Sequence, residues 1–532
     1  MGTDSMCDVV VVGSGATGGW AAKMLTERGL DVVVVEAGAP VDRATEIPSP
    51  NYFLRKPGEQ PTDERFLERQ RIQSRHANYH IESHSLFVDD IDNPYSSSGE
   101  FDWIRSRRVG GRSLVWGCQC WQLSDQELAG VHVDGRRHAW PLNTSDLRSH
   151  YGEIEEYFEI CGDPDDRVPQ IPFFSRLRHP EAALTPAELK LRDIIRETWP
   201  ERAVVRARAI PTRTSSREFP GSGYWPRFSS PGSTLVDAAA TGRLKLFSNK
   251  IVTRINSVSS TGNVEIEYLD TVSETRGSLA ARAIVSCAST VESVRLLLAS
   301  SSETHPGGIG NHSDLLGRGL MDHCAVEMSA TLPATWERPH PIPVHWNADG
   351  LYMPHFPRLG HAATFEGGYG IGIAAQRANA LEAESQRGMR AYVWAFGEVL
   401  PYRDNRITLR TDRLDRWGLA TPHIELTYRA NEEALLTDAA ATLAAIFAAA
   451  GCMADPPARW TPGLSSHEIG GAAMGTHPEN SVTDPWCRVW SAPRVVVADG
   501  ACWPTSAYQN PTLTMMAICR RASMKLADDL GA

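Results

Sequence analysis

Residues 7–38 read CDVVVVGSGATGGWAAKMLTERGLDVVVVEAG, and the fold follows from them. The four valines before Gly13 show no polar alternation, as in a strand buried on both faces of a parallel sheet. Gly13-Ser14-Gly15-Ala16-Thr17-Gly18 follows at once, then Trp20, Ala21, Met24 and Leu25 at helical spacing. Gly29 ends that helix, and a second valine run leads to Glu36, 18 residues beyond Gly18. A strand, a glycine loop, a helix and a second strand closed by an acid form the setting a dinucleotide requires. The glycines let the backbone approach a pyrophosphate at a helix N-terminus, and Glu36 takes the ribose hydroxyls. The acid disfavours a 2′-phosphate but does not separate FAD from NAD.

Composition narrows the partners. A chain of 532 residues is long enough for three to four domain-sized units, which large α/β enzymes interleave into two. The 42% apolar and 22% charged fractions are those of a globular protein. A net charge of −11 argues against nucleic acid or an anionic membrane as the main partner. The first residues lack the basic start and apolar core of a secretory signal. Residues 439–450 are too short to span a bilayer and read as a small-residue helix packed inside the protein. Ten cysteines in this length are no disulfide scaffold, and the lone pair Cys118 and Cys120 reads as two buried thiols, so a cytoplasmic location is expected. His76, His80 and His84 suit either a metal-binding helix face or a solvated surface helix. No second ligand cluster accompanies them, which favours the surface helix and no metal.

Near the C-terminus lie SSHEIGGAAMG (465–475) and YQNPTLTMMAICRRA (508–522). The first offers His467 and a glycine-rich segment that can pass close to a flat ligand. The second offers Asn510 near a helix cap, with Pro511 and Thr512 in the first turn. Removing hydride from an alcohol needs these three things: a proton acceptor, a polar group for the developing alkoxide, and a positive helix end.

His467 in HEIGG, Asp499-Gly500 after the VVVA run and Asn510-Pro511-Thr512 resemble the C-terminal signature of the glucose-methanol-choline (GMC) flavin oxidoreductases. The 43-residue separation of His467 and Asn510 resembles the spacing of that family's catalytic pair. Residues 101–123, FDWIRSRRVGGRSLVWGCQCWQL, resemble the family's second glycine motif, where Gly110, Gly111, Arg112 and Ser113 meet the flavin and pyrophosphate. In pyranose 2-oxidases a His just beyond that glycine pair carries a covalent flavin. Val115 stands at the similar position here, so the resemblance implies non-covalent FAD. With Asn93-Pro94-Tyr95 before it, the run looks closer to bacterial glycoside 3-dehydrogenases.

What the resemblance implies is an α/β fold with a discontinuous Rossmann-like FAD domain and a sheet-plus-helices substrate domain. The FAD parts would be 1–135, 234–318 and 466–532, and the substrate parts 136–233 and 319–465. Residues 40–102, polar and Pro-rich, read as a long loop or lid. In 136–233 a helix capped by Thr144 or Ser145 buries Leu147, Tyr151, Ile154 and Phe158. Val252, on a strand of the second FAD part, would lie near the adenine. Alternating strands between residues 321 and 461, rich in aromatics such as Tyr352, Tyr369, Trp394 and Phe396, suit the floor of a substrate cavity. The implied reaction is FAD-dependent oxidation of a secondary hydroxyl of a sugar or glycoside, at pyranose C3 by the nearest-looking branch. His467 would be the general base, Asn510 would hold the substrate oxygen, and oxygen or another electron acceptor would follow. Other outcomes are a pyranose 2-oxidase-like, polyol or aminosugar oxidase, a nicotinamide dehydrogenase, or a protein using FAD without redox. The oligomeric state is open.

Overall fold

A computed structural model describes residues 7–42, 64–79, 83–166, 168, 171–173, 177–178, 183–211, 216–220, 223–256, 262–336, 342–343, 350–355, 364–378 and 389–532. The first valine run is β1 (Cys7–Val12), followed by α1 (Ala16–Glu27) and β2 (Val32–Val35). Both strands run parallel and in register, Val9 opposite Val32 and Val12 opposite Val35, with every valine buried. Each buried valine contributes roughly 1.5–3 kcal/mol over an exposed one, so the run specifies the centre of the sheet. The sheet grows by segments far away in sequence. β3 (Leu244–Phe247) adds beside β2. On the other edge β6 (Arg276–Ser286) pairs with β1, and β11 (Ala492–Val497) pairs with β6, all parallel. β4 (Lys250–Asn256) and β5 (Val264–Asp270) form an antiparallel extension on the first half of β6.

A second, antiparallel sheet holds β7 (Cys324–Thr331), β8 (Leu351–His355), β9 (Tyr369–Ala375) and β10 (Arg390–Gly397), in the order β7-β10-β9-β8. β10 alternates half-buried Tyr392, Trp394 and Phe396 with buried Val393 and Ala395, so one face is dry and the other lines a cavity. α4 (Ala430–Ala449) packs on the dry face through Leu435, Leu443, Ile446 and Phe447. Its opposite side is solvent-exposed, so the small residues of 439–450 cover a sheet and are not packed inside. α3 (Thr290–Ala299) follows β6, and α5 (Thr512–Asp529) lies against α1 and α2 (Thr144–Phe158). Trp20 Nε1 meets Met516 Sδ at 3.1 Å, and the Tyr151 and Thr514 hydroxyls are 2.7 Å apart.

The α/β expectation holds, and several local ones are corrected. α2 buries the four expected residues but is capped by Asn143, whose carbonyl takes the Ser145 N–H while Asp146 reaches back. Among three consecutive polar residues, the one whose partner at the third position was an acid won. The described part of 64–102 is packed, with Tyr79, Leu86, Phe87 and Val88 buried, and is not an open loop. His76 and His84 flank or begin short 3₁₀ turns instead of sharing a helix, and His80 lies outside the described residues. No group of three metal-ligating side chains occurs among the described residues. Nor is any described helix long and apolar enough to cross a membrane.

Candidate active site

The two sheets face a cavity of about 830 Å³. Its nucleotide end is the turn between β1 and α1. Gly13 has φ +94°, and a Cβ there would stand 2.5 Å from the Cys287 carbonyl oxygen. A Cβ on Gly18 would come within 2.0 Å of the Gly13 oxygen, so this glycine seats the helix on the loop and does not face the cavity. Gly15 differs: a Cβ there meets nothing nearer than the Gly110 oxygen at 3.9 Å, so no neighbour in the protein demands a glycine. It is also the N-cap of α1 and supplies no side-chain acceptor, so the N–H groups of the first turn, at Ala16 and Thr17, open on the cavity. Glu36, buried at the end of β2, accepts from Ser14 N at 3.0 Å, Ser14 Oγ at 2.6 Å and Gly38 N at 2.8 Å. Burial pushes its carboxyl above the ordinary range, and these donors oppose the shift.

The second glycine turn meets the first. Gly110 N donates to Ser14 Oγ at 2.9 Å, and Gly111 stacks its backbone against Gly15. Gly110 itself, at φ +106°, makes the turn and does not line the cavity. Ser113 lines it, but its hydroxyl is turned inward, donating to Gly110 O at 2.6 Å and accepting from Ser230 N at 2.9 Å. Arg112 also lines it, with its guanidinium bound to Ser466 O at 2.8 Å, Ser289 Oγ at 3.0 Å and the Glu468 carboxylate at 2.7 Å. It therefore braces the residues on both sides of His467. Val252, Gly500, Pro511 and Thr512 are on the cavity wall as expected. Asp499 is there too, but its carboxylate is occupied by Ser293 Oγ (2.6 Å) and Ala501 N (3.0 Å).

His467 and Asn510 stand together at the junction of the two sheets, Asn510 Nδ2 at 3.4 Å from His467 Nε2. The cap of α5 is Pro511, not Asn510, which leaves the amide free for the imidazole. Behind His467 is a residue that sequence reasoning missed. Met321 and Ile469 exchange backbone hydrogen bonds of 2.8 and 2.9 Å, and this bridge sets His323 beside His467, Nδ1 to Nδ1 at 2.9 Å. His323 Nε2 faces the Ser506 carbonyl at 3.5 Å. A carbonyl only accepts, so His323 carries its proton on Nε2 and offers a lone pair at Nδ1. His467 must then donate from Nδ1, which leaves its Nε2 unprotonated and directed at Asn510. Asp322 fixes the backbone, accepting from His467 N at 2.9 Å and Gly463 N at 2.8 Å.

The electrostatics agree with this tautomer. Burial pushes His323 down to about 4. Burial first, then His323 and Arg112, hold His467 well below 6.5. Both rings are therefore neutral at pH 7. Burial and the neighbouring Glu468 raise Asp322 to about 7. At the other end of the cavity lies a second missed cluster: Glu292 receives Arg107 at 3.2 Å and Arg295 at 2.6 Å, and Arg295 also donates to Val252 O at 3.0 Å. Nothing in their local spacing marks them, because Arg107 and Glu292 meet only through the fold.

Comparison with known proteins supplies the relationship. Residues 401–519 match the family described as GMC oxidoreductase, and residues 8–50 match an FAD binding domain. This chain is a GMC oxidoreductase. It is 24% identical to the fructose dehydrogenase large subunit of Gluconobacter japonicus, across 98% of each chain. It is 25% identical to paromamine 6'-oxidase of Streptomyces fradiae, across 99% of this chain and 92% of that one. The crystal structure of pyridoxine 4-oxidase from Mesorbium loti shares the fold, with a TM-score of 0.62 at 16% identity over 98% of this chain and 99% of the other. The GMC oxidoreductase described here is an FAD-dependent enzyme acting on CH–OH donors. The nicotinamide alternative is set aside by the FAD domain match.

The residues present fit FAD. Gly15 leaves open the space a Cβ would fill, and the uncapped first turns of α1 and α5 both border the same cavity. One turn would serve the pyrophosphate and the other the electron-rich end of the ring system. Glu36, also on the cavity wall, would take the ribose hydroxyls.

Proposed function

We propose that this GMC oxidoreductase oxidises a secondary hydroxyl of a sugar or glycoside, and that the C3 hydroxyl of a pyranose is the preferred position, giving a 3-keto sugar. The observation that carries the catalytic half is the oriented pair. His467 Nε2, lone pair outward, lies 3.4 Å from the Asn510 amide on the wall of the FAD cavity. His467 Nε2 takes the hydroxyl proton of the substrate, and Nδ1 keeps its own proton because His323 holds it. Asn510 Nδ2 donates to the substrate oxygen as negative charge develops there. Bound FAD supplies the acceptor for the hydride that leaves the carbinol carbon. The aromatic floor of β10 and Trp460 encloses this point and keeps water from it. Support for a sugar comes from the names of the two relatives above and from that floor. Support for C3 comes from the resemblance of residues 93–123 to glycoside 3-dehydrogenases.

FAD is held without a covalent bond in this reading. Val115 on the cavity wall has no nucleophilic atom, and burial pushes the nearby Cys118 thiol well above its ordinary range. Acid precipitation should release all of the flavin into the supernatant. The function itself is tested by anaerobic flavin reduction against a panel of sugars, glycosides and simple alcohols, with products read for the position of the new ketone. Reduction by simple alcohols alone would defeat the sugar reading, and a ketone away from C3 would defeat the finer one.

A further inference from the structure

Beyond the base and its amide, the cavity wall carries Glu327, whose charge the oxidation does not use, beside the aromatic floor. β7 and β10 pair with Ala325 opposite Phe396, Glu327 opposite Trp394 and Ser329 opposite Tyr392. Residues directly opposite share a face, and here that face is the cavity side. The Phe396 ring is 5.3 Å from the His467 ring and 5.5 Å from the Trp460 ring. One strand period farther out, about 7 Å, come Trp394 and Glu327. That step is roughly the span of one sugar ring.

Trp394 is a platform. A Cβ on Gly372, its partner on β9, would fall 2.3 Å from Cε2 and Cζ2, so the indole lies across the glycine backbone. Its half-buried ring lines the cavity. Glu327 is also on the cavity wall, with the Trp460 side chain near enough to lower its carboxyl in part. No ion pair joins it to a described lysine or arginine. Arg459, on the neighbouring strand, is engaged at 2.6 Å by Glu433. Arg390, two steps farther along β10, is engaged by Asp455. The residue as a whole stays exposed to solvent, while partial desolvation of its carboxyl raises it above the usual range, as expected for an acid without a cation beside it.

A carboxylate next to aromatic faces accepts hydrogen bonds from neutral hydroxyls, as a side-chain amide would. It is a good partner for an ammonium group, which gains a charge-assisted hydrogen bond and a π face together. We propose that Glu327, with Trp394 and Trp460, receives an ammonium group of the substrate. The preferred substrates are then amino sugars in glycosidic linkage, with the oxidised ring at His467 and the amine-bearing ring one position outward. This rests on the sugar-oxidising reading and narrows it.

The test uses the FAD-loaded enzyme with three disaccharides: β-1,4-linked glucosamine, its N-acetylated form, and cellobiose. Affinity is measured by calorimetry under argon at low temperature and specificity by kcat/KM. The wild-type enzyme should bind the amine tightest, and Glu327→Gln should shift the KM ratio between amine and cellobiose about tenfold toward cellobiose. Glu327→Asp should keep part of the preference. Equal weakening of all three sugars, or no shift in the ratio, would overturn the proposal. If no sugar reduces the flavin, the sugar reading itself fails, and calorimetry with wild-type and Glu327→Gln enzyme still shows whether the ammonium is recognised.

Discussion

Replacing His323 by leucine tests the relay that orients the base. His323 is 1% exposed and gives His467 Nδ1–H its acceptor at 2.9 Å. Leucine fills comparable space and accepts nothing. The stranded N–H costs about 1–3 kcal/mol, unless the ring moves its proton to Nε2. In that tautomer the nitrogen facing the substrate is already protonated and cannot act as base. At 1.36 kcal/mol per decade, the competent fraction and the rate of flavin reduction fall about 5- to 150-fold. Glutamine at 323 can offer an oxygen to His467 and an N–H to Ser506 O, so His323→Gln should recover most of the loss. Removing His323 also relieves one cause of the depressed His467 value, so the acid limb of the rate profile should move to higher pH in His323→Leu. The assay is anaerobic stopped-flow reduction across pH, with flavin content read from absorbance. A His323→Leu rate within twofold of wild type, or a glutamine variant as slow as the leucine one, would refute the relay.

His467→Ala should keep bound FAD yet lose most flavin reduction, and near-normal reduction in that variant would remove the base assignment. Glu36→Ala should release FAD more readily on dilution while the rate constant for reduction in loaded enzyme changes little. Gly15→Val should fold with a normal apoprotein melting point but fail to take up FAD, because its side chain projects into open cavity. Gly18→Ala, with a Cβ 2.0 Å from the Gly13 oxygen, should lower the melting point itself. Asp322 at about 7 and Glu127 and Glu398 at about 8 hold protons in the folded state that the unfolded chain releases above about 4.5. Their contribution is complete below that value and is lost as pH rises to 8. The depressed His323 and His467 contribute above 6.5 and lose stability only as pH falls. Calorimetry should therefore show a lower melting point at pH 8 than at 6.5, and Glu398→Gln should flatten that decline.

Much of the site was legible because a few residue types have few uses at short spacing. The Gly13–Gly18 loop between two valine runs, the Gly110–Gly111 turn and the His467–Asn510 pair all meet at one cavity. Illegible were the residues whose meaning comes from pairing across the chain. His323 looks like any histidine before a strand until the Met321–Ile469 bridge brings it to His467. Glu327 is one more strand acid until β10 lays Trp394 opposite it. Roles within a motif were also finer than the motif. Gly18 and Gly110 shape the backbone, and Ser113 and Asp499 spend their polar atoms inside the protein. The cap of α2 is Asn143 in place of the expected Thr144 or Ser145, because adjacent polar residues compete for one position, while Asn510 stands next to the cap of α5 as expected.

β11 and α5 come from the last forty or so residues, yet β11 completes the parallel layer begun by β1, and α5 closes on α1. During synthesis the glycine loop therefore leaves the ribosome hundreds of residues before its neighbours exist. A nascent chain halted before residue 492 has half a nucleotide pocket, an open edge on β6 and no amide for the base. Full enclosure of the cofactor must then wait until these residues have emerged, and the waiting apolar strands are where a chaperone would find its hold.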